Sequence, residues 1–421
     1  AHIDYNYSPP GVGDGVRLRM AAERFDLDDH PFVGRSWKNV GLWQHELNKA
    51  RYSDSLGPAP VDDSLAMVAL GRIYTEVISS VRYVAVSIGL SGWQPEDPAV
   101  VASKRYGDCK GMSGLLVSRL RAAGIRANPC LVLTSDDGAV DSSFVAFDFN
   151  HVIAMAVIGR DTIWMDPTCD DCPAGDLPER DEHNTLLVVT DTGGVLVTTP
   201  SSHPDDNLFV EVCDAVIDDS GHITLATKAS VTGNSAQHLR RTLNHAQAED
   251  TKRWVGDWFI GNNKKYSTTR VATANLGNLA RPVELEASFA SVGLMDRIQK
   301  TGYFVPFLLT SRSYIDDAKL KERKTAVNFG SAWKIVDSVY LHGALLAVCD
   351  SVRVPESADL SFGPLHLAAR FTKDSTGVRA CLTQSLDGGE VPVEKFDSLA
   401  QFLTFRKQLL DKPIKFYLKA K

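Results

Sequence analysis

The chain is poor in the features that mark several common classes of protein. Seven cysteines in 421 residues are too few for a disulfide scaffold. No uninterrupted apolar run is long enough to cross a bilayer, and we find no internal repeat or low-complexity tract. The net charge of −7 leaves no basic excess to attract nucleic acid or an anionic membrane surface. These absences leave an ordinary globular protein, of two or three domains for this length.

The beginning of the chain carries little information. It opens on Ala1-His2-Ile3, without a methionine or a signal peptide. We take it as a mature or trimmed form, in which a missing signal says nothing about the compartment. Residues 1–35 are expected to be irregular apart from one strand at 16–20. We interpret them as an N-terminal extension and a candidate remnant of a β domain.

Two larger regions follow, and their periodicities differ. Residues 36–200 begin with apolar residues at helical spacing and continue with short apolar strands, the last at 186–189, which is typical of an α+β unit. Residues 201–421 alternate with the period of strands, so we expect a mostly β domain with a few helices. The elements expected there are a hairpin at 208–216 and 222–231, helices at 235–258 and 394–410, and strands at 283–289, 344–354, 365–372, 378–383 and 414–418.

Three separate pieces of the first region carry a thiol, an imidazole and a carboxylate. Turn residues precede Cys109 and a long apolar-faced stretch follows it, which predicts a cysteine in the first turn of a helix that stops at Gly124. His151 lies in an apolar strand, and Asp166 lies at the end of the next strand. Because antiparallel neighbours joined by a loop bring such positions side by side, we expect the imidazole and the carboxylate to meet.

This order of side chains is typical of cysteine acyl-transfer chemistry. A helix N-terminus favours the thiolate of Cys109, whose own N–H can donate to an oxyanion. His151 can take the thiol proton and return it to a leaving amine. Asp166 can fix the imidazole tautomer by accepting a hydrogen bond from one ring nitrogen.

Each of the three residues also has an ordinary structural explanation. A lone cysteine at a helix start is usually a small buried hydrophobe. A histidine in an apolar strand is usually a satisfied core group, and an aspartate before proline is usually a turn former. The ordered set, with suitable elements between its members, favours a catalytic site over three coincidences.

The same residues resemble the transglutaminase-like superfamily, and especially bacterial proteins in which such a core is flanked by β-rich domains. The resemblance implies a papain-like α+β core, in which the cysteine-bearing helix packs on an antiparallel sheet. It also implies a thioester intermediate, with Cys109 as nucleophile, His151 as base and Asp166 as orienter. The family commonly has Lys-Asp after the nucleophile, where this chain has Lys110-Gly111, and this departure concerns substrate detail. The matching residues are 81–84, 92–95, 106–110, 120–127, 149–151 and 164–168.

Four nearby residues are further candidates for oxyanion or substrate contacts. The amide of Gln94 could complete an oxyanion hole, although a loop glutamine that bonds to backbone is the more ordinary explanation. Trp93 and Tyr106 either form the wall of an acyl pocket or simply pack, and Asn150 adjoins the histidine. Lys110 places a positive charge beside the thiol, where it could favour the thiolate.

The sequence predicts no metal and no cofactor. Cys169 and Cys172 form a lone C-x-x-C, which supplies too few ligands for zinc. The βαβ setting of redox motifs with this spacing is absent. A local disulfide and two free thiols both remain open for this pair.

Three functions are compatible with the sequence. The first is an enzyme that transfers an acyl group from a protein or peptide glutamine, or another amide, to an amine or to water. The second is a non-catalytic protein-binding or glycan-binding module on the same scaffold. The third is an amide-bond-forming enzyme of a biosynthetic pathway. Because proteins of the resembled type are often exported, the resemblance implies a periplasmic or extracellular location.

Overall fold

The computed structural model describes residues 20–52, 55–60, 62–86, 89–261, 263–307 and 324–419. Among them, those up to Ser201 form one compact unit, here called the N-terminal unit. Those from Ser202 onwards form a second, the C-terminal unit. The strand expected at 16–20 lies outside the described residues except for Met20, which is not in a strand.

The N-terminal unit is built on a five-stranded antiparallel sheet with the order β7-β6-β5-β8-β9. Two short pairs accompany this sheet, β1 with β2 and β3 with β4. The helices are α1 (Trp37–Lys49), α2 (Asp63–Ser80), α3 (Pro98–Lys104) and α4 (Cys109–Ala122), with 3₁₀ turns at Gly89–Gly92 and Glu179–Asp181. The strands are β1 (Arg24–Leu27), β2 (His30–Val33), β3 (Arg82–Tyr83), β4 (Tyr106–Gly107), β5 (Arg126–Val132), β6 (His151–Ile158), β7 (Asp161–Met165), β8 (Thr185–Thr190) and β9 (Gly193–Thr198).

Both faces of this sheet are buried. Helix α1 packs on β8 and β9, while α4 packs on β5 and β6. One apolar cluster includes Trp43, Leu131 and Val152, and a second includes Ile153 and Trp164. Alternate residues of β6 therefore enter two different clusters, as the period of a strand requires. The cysteine-bearing helix on an antiparallel sheet confirms the predicted α+β core.

Helix α4 begins and ends for local reasons. The side chain of Asp108 accepts a hydrogen bond from the Gly111 N–H at 2.8 Å, which caps the N-terminus. Gly124 has φ of +76°, a left-handed conformation that suits glycine and stops the helix. On the buried face, Ser113 Oγ donates to the Val152 carbonyl at 2.9 Å. This bond ties the helix to the strand that carries His151.

Several elements of the N-terminal unit were not expected. Residues 1–35 were expected to be irregular, but β1 and β2 form a hairpin whose Phe25 and Phe32 contact Trp43, with ring centroids 5.5 and 5.8 Å away. Strand β9 follows the strand expected to be the last. Helix α1 approaches β9 so closely that a Cβ on Gly41 would lie 2.0 Å from the Gly194 nitrogen.

The C-terminal unit is mostly β, as expected. An eight-stranded sheet has the order β12-β13-β11-β10-β17-β21-β20-β19, and a four-stranded sheet has the order β14-β15-β23-β18. No helix in the described ranges has the length and apolarity that a membrane crossing needs. The helices are Gly233–Leu243, Ala248–Ile260, Ala344–Val348 and Phe396–Leu410, with a 3₁₀ turn at Val393–Lys395. The strands are β10 (Leu208–Ile217), β11 (Ile223–Val231), β12 (Tyr266–Ala274), β13 (Val283–Ser291), β14 (Asp296–Ile298), β15 (Thr301–Phe304), β16 (Val327–Asn328), β17 (Trp333–His342), β18 (Cys349–Arg353), β19 (Ala358–Phe362), β20 (Leu365–Lys373), β21 (Val378–Leu386), β22 (Glu390–Val391) and β23 (Ile414–Leu418).

Several expected elements of this unit need correction. The strand expected at 344–354 is a short helix followed by β18, and the helix expected at 235–258 is two helices. Strand β17 was not expected, although it pairs in parallel with β10 near the centre of the sheet. Its inward-facing apolar alternation is interrupted by Asp337, which weakens the strand signal in the sequence.

Candidate active site

Cys109 is the first residue of helix α4, as the sequence predicts. Its side chain belongs to an apolar cluster with Leu131 and Val152, yet 8% of the residue remains exposed. It shares a cavity of about 350 Å³ with His151. The cysteine is therefore open to a ligand that enters the cavity. Six further lining residues are Gln44, Tyr83, Trp93, Lys110, Phe149 and Asn150.

The structure brings the three predicted side chains together. His151 Nε2 lies 3.2 Å from Asp166 Oδ2, because β6 and β7 are antiparallel neighbours with Ala154 opposite Met165. The Cys109 side chain lies beside the imidazole in the same cavity, close enough to raise the pKa of His151. With Nε2 bonded to the carboxylate, Nδ1 is the ring nitrogen that is available to the sulfur.

Asp166 is fully buried, and both of its carboxylate oxygens accept hydrogen bonds. Oδ1 accepts from the Thr168 N–H at 2.9 Å and from the Thr168 hydroxyl at 2.8 Å. Oδ2 accepts from Arg180 Nη2 at 2.9 Å in addition to the imidazole. Four donors match the acceptor capacity of a carboxylate, so Asp166 is held in one orientation.

A hydroxyl from another element and a disulfide hold the turn that carries Asp166. The hydroxyl of Tyr74, on α2, donates to the carbonyls of Asp166 and Cys169 at 3.0 and 3.3 Å. Cys169 and Cys172 form a disulfide, which decides between the two alternatives left open by the sequence. The hydroxyl and the disulfide both restrict the backbone next to the carboxylate.

The pKa shifts of His151 and Asp166 are those of an ion pair between the two side chains. Burial by itself lowers the pKa of His151, but the charge and hydrogen bond of Asp166, the adjacent Cys109 side chain and the charge of Asp181 together raise it to about 10. Burial by itself raises the pKa of Asp166, but His151, Arg180 and Thr168 hold it well below its usual range. The imidazole is therefore charged at neutral pH.

Backbone donors at the start of α4 are available for an oxyanion. The N–H of Gly111 bonds to the Asp108 side chain, and the N–H of Met112 bonds to the Asp108 carbonyl. The N–H groups of Cys109 and Lys110 precede the first intrahelical bond, and both residues line the cavity. They are the donors in position to stabilise negative charge on a bound carbonyl.

Lys110 does not supply a free positive charge to the thiol. Its Nζ lies 2.6 Å from Asp108 Oδ2, and both side chains are about nine-tenths buried. The ammonium also donates to the Val86 carbonyl at 3.4 Å. The lysine is therefore engaged with the N-cap carboxylate.

Two of the further candidates do not lie in the cavity. The amide of Gln94 donates to the Leu47 carbonyl at 3.2 Å and accepts from Arg51. Both ends of the amide are used inside the fold, so the more ordinary of the two explanations, a glutamine that bonds to backbone, describes Gln94. The ring of Tyr106 lies 5.8 Å from the Lys104 ammonium, away from the lining residues.

Trp93 and Asn150 do line the cavity, and each is held by neighbours. Trp93 packs edge-on against Trp43 and Phe147, with centroids 5.7 and 5.1 Å away. The amide of Asn150 bonds to Thr134, accepting from its N–H and donating to its hydroxyl, both at 3.0 Å. Gln44, on α1, donates to the Trp93 carbonyl at 2.9 Å. It is the lining glutamine that the sequence reasoning missed.

Arg180 and Asp181 were also missed. They come from the 3₁₀ turn after a long loop, and no periodic pattern or motif connects them with the triad residues. One polar atom each from His151, Asp166 and Asp181 lies within 4.8 Å of the others, the spacing of a small metal site. Arg180 already bonds to Asp166 there, so a cation would have to compete with a guanidinium.

Comparisons with known proteins find a family model and a solved structure that are similar to this chain. Residues 61–167 match the sequence model of the transglutaminase-like superfamily. The crystal structure of a candidate protease from Parabacteroides distasonis ATCC 8503 aligns with a TM-score of 0.51 at 10% sequence identity. The alignment covers 97% of this chain and 64% of that one, so this chain spans less than two thirds of the length of its structural neighbour. A search of curated proteins finds no match.

The chain thus carries a transglutaminase-like superfamily domain, in an α+β core that is followed by a mostly β region. Such a family and such a fold fit cysteine-dependent catalysis in general.

Proposed function

We propose that the protein is a cysteine-dependent enzyme that transfers an acyl group from a carboxamide or peptide carbonyl through a thioester. The observation that carries this proposal is the 3.2 Å contact between His151 Nε2 and Asp166 Oδ2, made by an imidazole that shares its cavity with the Cys109 thiol at the start of α4. Ordinary packing would explain each of the three residues by itself. It does not explain why Cys109, His151 and Asp166 meet beside an open cavity.

The first half of the reaction forms the acyl-enzyme. The Cys109 thiolate attacks the carbonyl carbon, a C–S bond forms, and the oxyanion is stabilised by N–H groups at the start of α4. The His151 imidazolium then gives its Nδ1 proton to the leaving nitrogen as the C–N bond breaks. The products of this half are ammonia or an amine, and a thioester.

The second half regenerates the thiol. Neutral His151 takes a proton from the acceptor, water or an amine, while the acceptor attacks the thioester carbon. The C–S bond breaks, and the thiolate–imidazolium pair is restored. Water as acceptor gives deamidation or amide hydrolysis, and an amine gives transamidation. Asp166 keeps the imidazole oriented throughout, because Thr168 and Arg180 hold the carboxylate.

We further propose that the protein works in the periplasm or outside the cell. The Cys169–Cys172 disulfide supports this location, because disulfides persist in oxidising compartments. The structural neighbour, a candidate protease, supports testing peptide bonds beside glutamine side chains. Protein or peptide amides are accordingly the first substrates to examine.

Intact-mass spectrometry tests the proposal. The chain is incubated with glutamine peptides and amides, with and without a primary amine, and the protein and the products are weighed. We expect a transient acyl adduct that disappears in Cys109→Ala and persists in Cys381→Ala, which removes an exposed cysteine instead. Equal turnover by wild type and Cys109→Ala, or a chain that yields neither adduct nor turnover with any amide in the panel, contradicts it.

A further inference from the structure

Asp181 is a buried carboxyl group with no hydrogen-bond donor. Its residue is 0% exposed, and among the residues that the structure describes neither carboxyl oxygen has a hydrogen-bond partner. The Asp181 N–H bonds to the Pro178 carbonyl at 2.8 Å, and the Thr199 hydroxyl donates to the Asp181 carbonyl at 2.7 Å. The backbone is thus held firmly while the carboxyl group is left without donors. A buried polar group in this condition normally has a functional or ionisation-related reason.

The carboxyl group lies beside the proposed catalytic pair. Polar atoms of Asp181, Asp166 and His151 lie within 4.8 Å of one another. Arg180 Nη2 is committed to Asp166, and its Nε, which has no hydrogen-bond acceptor, stands 3.9 Å from Asp181 Oδ2. One guanidinium therefore stands between two carboxyl groups and directly bonds only one of them.

The charged groups around Asp181 come from four places in the fold. They are His151 on β6, Asp166 after β7, Arg180 on the same 3₁₀ turn, and Asp136 on the loop whose Ser135 N–H bonds to the Arg180 carbonyl. Burial, and then the charge of Asp166, raise the pKa of Asp181 to about 7, while His151 and Arg180 act in the opposite direction. A carboxyl group so placed changes its charge near neutral pH, whereas an ordinary aspartic acid does so near pH 4.

We propose that Asp181 is a positioning residue that adjusts, through its own charge, how firmly the His151–Asp166 pair holds its proton. Protonated Asp181 leaves Asp166 as the single buried anion facing the imidazolium. Ionised Asp181 adds a second anion within a few ångströms and draws on the Arg180 charge, so the imidazolium is held more tightly. His151 would thus be a better proton donor to a leaving amine below neutral pH than above it. This role rests on the proposed function, although its electrostatic basis does not depend on any substrate.

Nuclear magnetic resonance of the full chain tests this directly. In wild type we expect the side-chain carboxyl carbon of Asp181 to titrate near pH 7. We expect the His151 ring signals to show a small inflection at the same pH and their main transition near pH 10. In Asp181→Asn, which keeps size and shape, the small inflection should vanish and the main transition should move to lower pH. Asp136→Asn, the same substitution on the exposed side of Arg180, should keep the inflection near pH 7.

The outcomes separate this proposal from the proposed function. A wild-type Asp181 signal that titrates near pH 4 overturns the proposal without any variant, so a poorly folded variant cannot obscure the answer. An unchanged His151 titration in Asp181→Asn overturns it as well, and a purely structural role predicts that result. Failure of acyl transfer would instead appear in the mass assay as equal behaviour of wild type and Cys109→Ala, and would leave these titrations unaffected.

Discussion

The buried Asp166 of the N-terminal unit differs in charge from the buried acids Glu211 and Asp337 of the C-terminal unit. In the N-terminal unit, Asp166 is surrounded by donors and cations and stays ionised. In the C-terminal unit, Glu211 on β10 and Asp337 on β17 are directly paired in parallel register and are both buried. Burial and the charge of Asp337 raise the pKa of Glu211, and burial raises the pKa of Asp337 to about 7.

The difference lies in the partners of the carboxyl groups. Asp166 accepts four hydrogen bonds, two of them from a guanidinium and an imidazole. Glu211 accepts one, from the Thr227 hydroxyl at 2.7 Å, while its second oxygen and one oxygen of Asp337 have no partner. Burial alone thus neutralises an acid, and a buried acid stays charged only where the fold supplies positive donors. The proposed active site does so for Asp166.

The largest effect is expected from removing the charge of Asp166. In Asp166→Asn, the imidazole loses the carboxylate that orients it and raises its pKa, so we expect amide turnover to fall by about a thousandfold or more. The high-pH limb of the activity profile, set by loss of the imidazolium near pH 10 in wild type, should move to lower pH. Asp161→Asn, at the exposed end of the same strand, is the matched control. A pH profile unchanged in Asp166→Asn would rule out the ion pair.

Replacing Arg180 should make the surroundings of Asp166 resemble those of Glu211 and Asp337, which lack a positive donor among the described residues. In Arg180→Met, Asp166 and Asp181 face each other with only the imidazolium between them. We expect the free energy of unfolding at pH 8 to fall by about 1–3 kcal/mol, a range reduced from that of a fully buried pair because the arginine side chain is 40% exposed. The loss should be smaller at pH 5, where Asp181 is protonated. Urea unfolding at both pH values measures this, and an equal loss would show that the arginine acts only through packing.

A smaller and local effect is expected in the C-terminal sheet. The pKa of Asp337 is raised to about 7, so the folded chain keeps a proton that the unfolded chain releases near pH 4. Stability therefore falls as pH rises between these two values. In Asp337→Asn, the protection of β10 and β17 amides against hydrogen exchange should depend less on pH over this range than in wild type, because one of the two carboxyl groups with a raised pKa is gone. Asp214→Asn, an exposed change on β10, should keep the wild-type slope. If the wild-type slope is flat, the acid pair is not protonated.

The smallest effect is expected from Tyr74→Phe. The substitution keeps the buried ring but removes the hydroxyl that donates to the carbonyls of Asp166 and Cys169. We expect the free energy of unfolding to fall by about 1 kcal/mol and amide turnover to fall by less than tenfold. A loss of turnover as large as that of Asp166→Asn would mean that the turn, and not the carboxylate, controls the imidazole.

Local patterns predicted the elements that carry the three central residues. Cys109 follows a capping aspartate. His151 begins β6 and Asp166 directly follows β7, and a tight turn joins these two strands, so sequence spacing and strand pairing were enough to bring the two side chains together. Arg180 and Asp181 could not be found in this way, because an irregular loop of about a dozen residues brings them back to Asp166. No periodicity describes the course of such a loop.

Two omissions from the sequence analysis, Gln44 and strand β17, have a common cause. Gln44 was not among the candidates, because it lies on α1, far from Cys109 in the sequence, and only the fold brings it to the cavity. Strand β17 was missed because Asp337 interrupts its apolar alternation, and the reason for that residue is its partner on β10, more than a hundred positions away. Long-range contacts of this kind leave no local signal.

The rate of Cys109 alkylation by iodoacetamide at pH 6 tests the central claim most directly. The account predicts that Cys109 reacts several-fold or more faster than the exposed Cys381 of the same chain, and that this advantage disappears in His151→Ala. If Cys109 reacts more slowly than Cys381, or equally fast with and without the imidazole, the chain does not maintain a thiolate–imidazolium pair and the proposed chemistry is wrong.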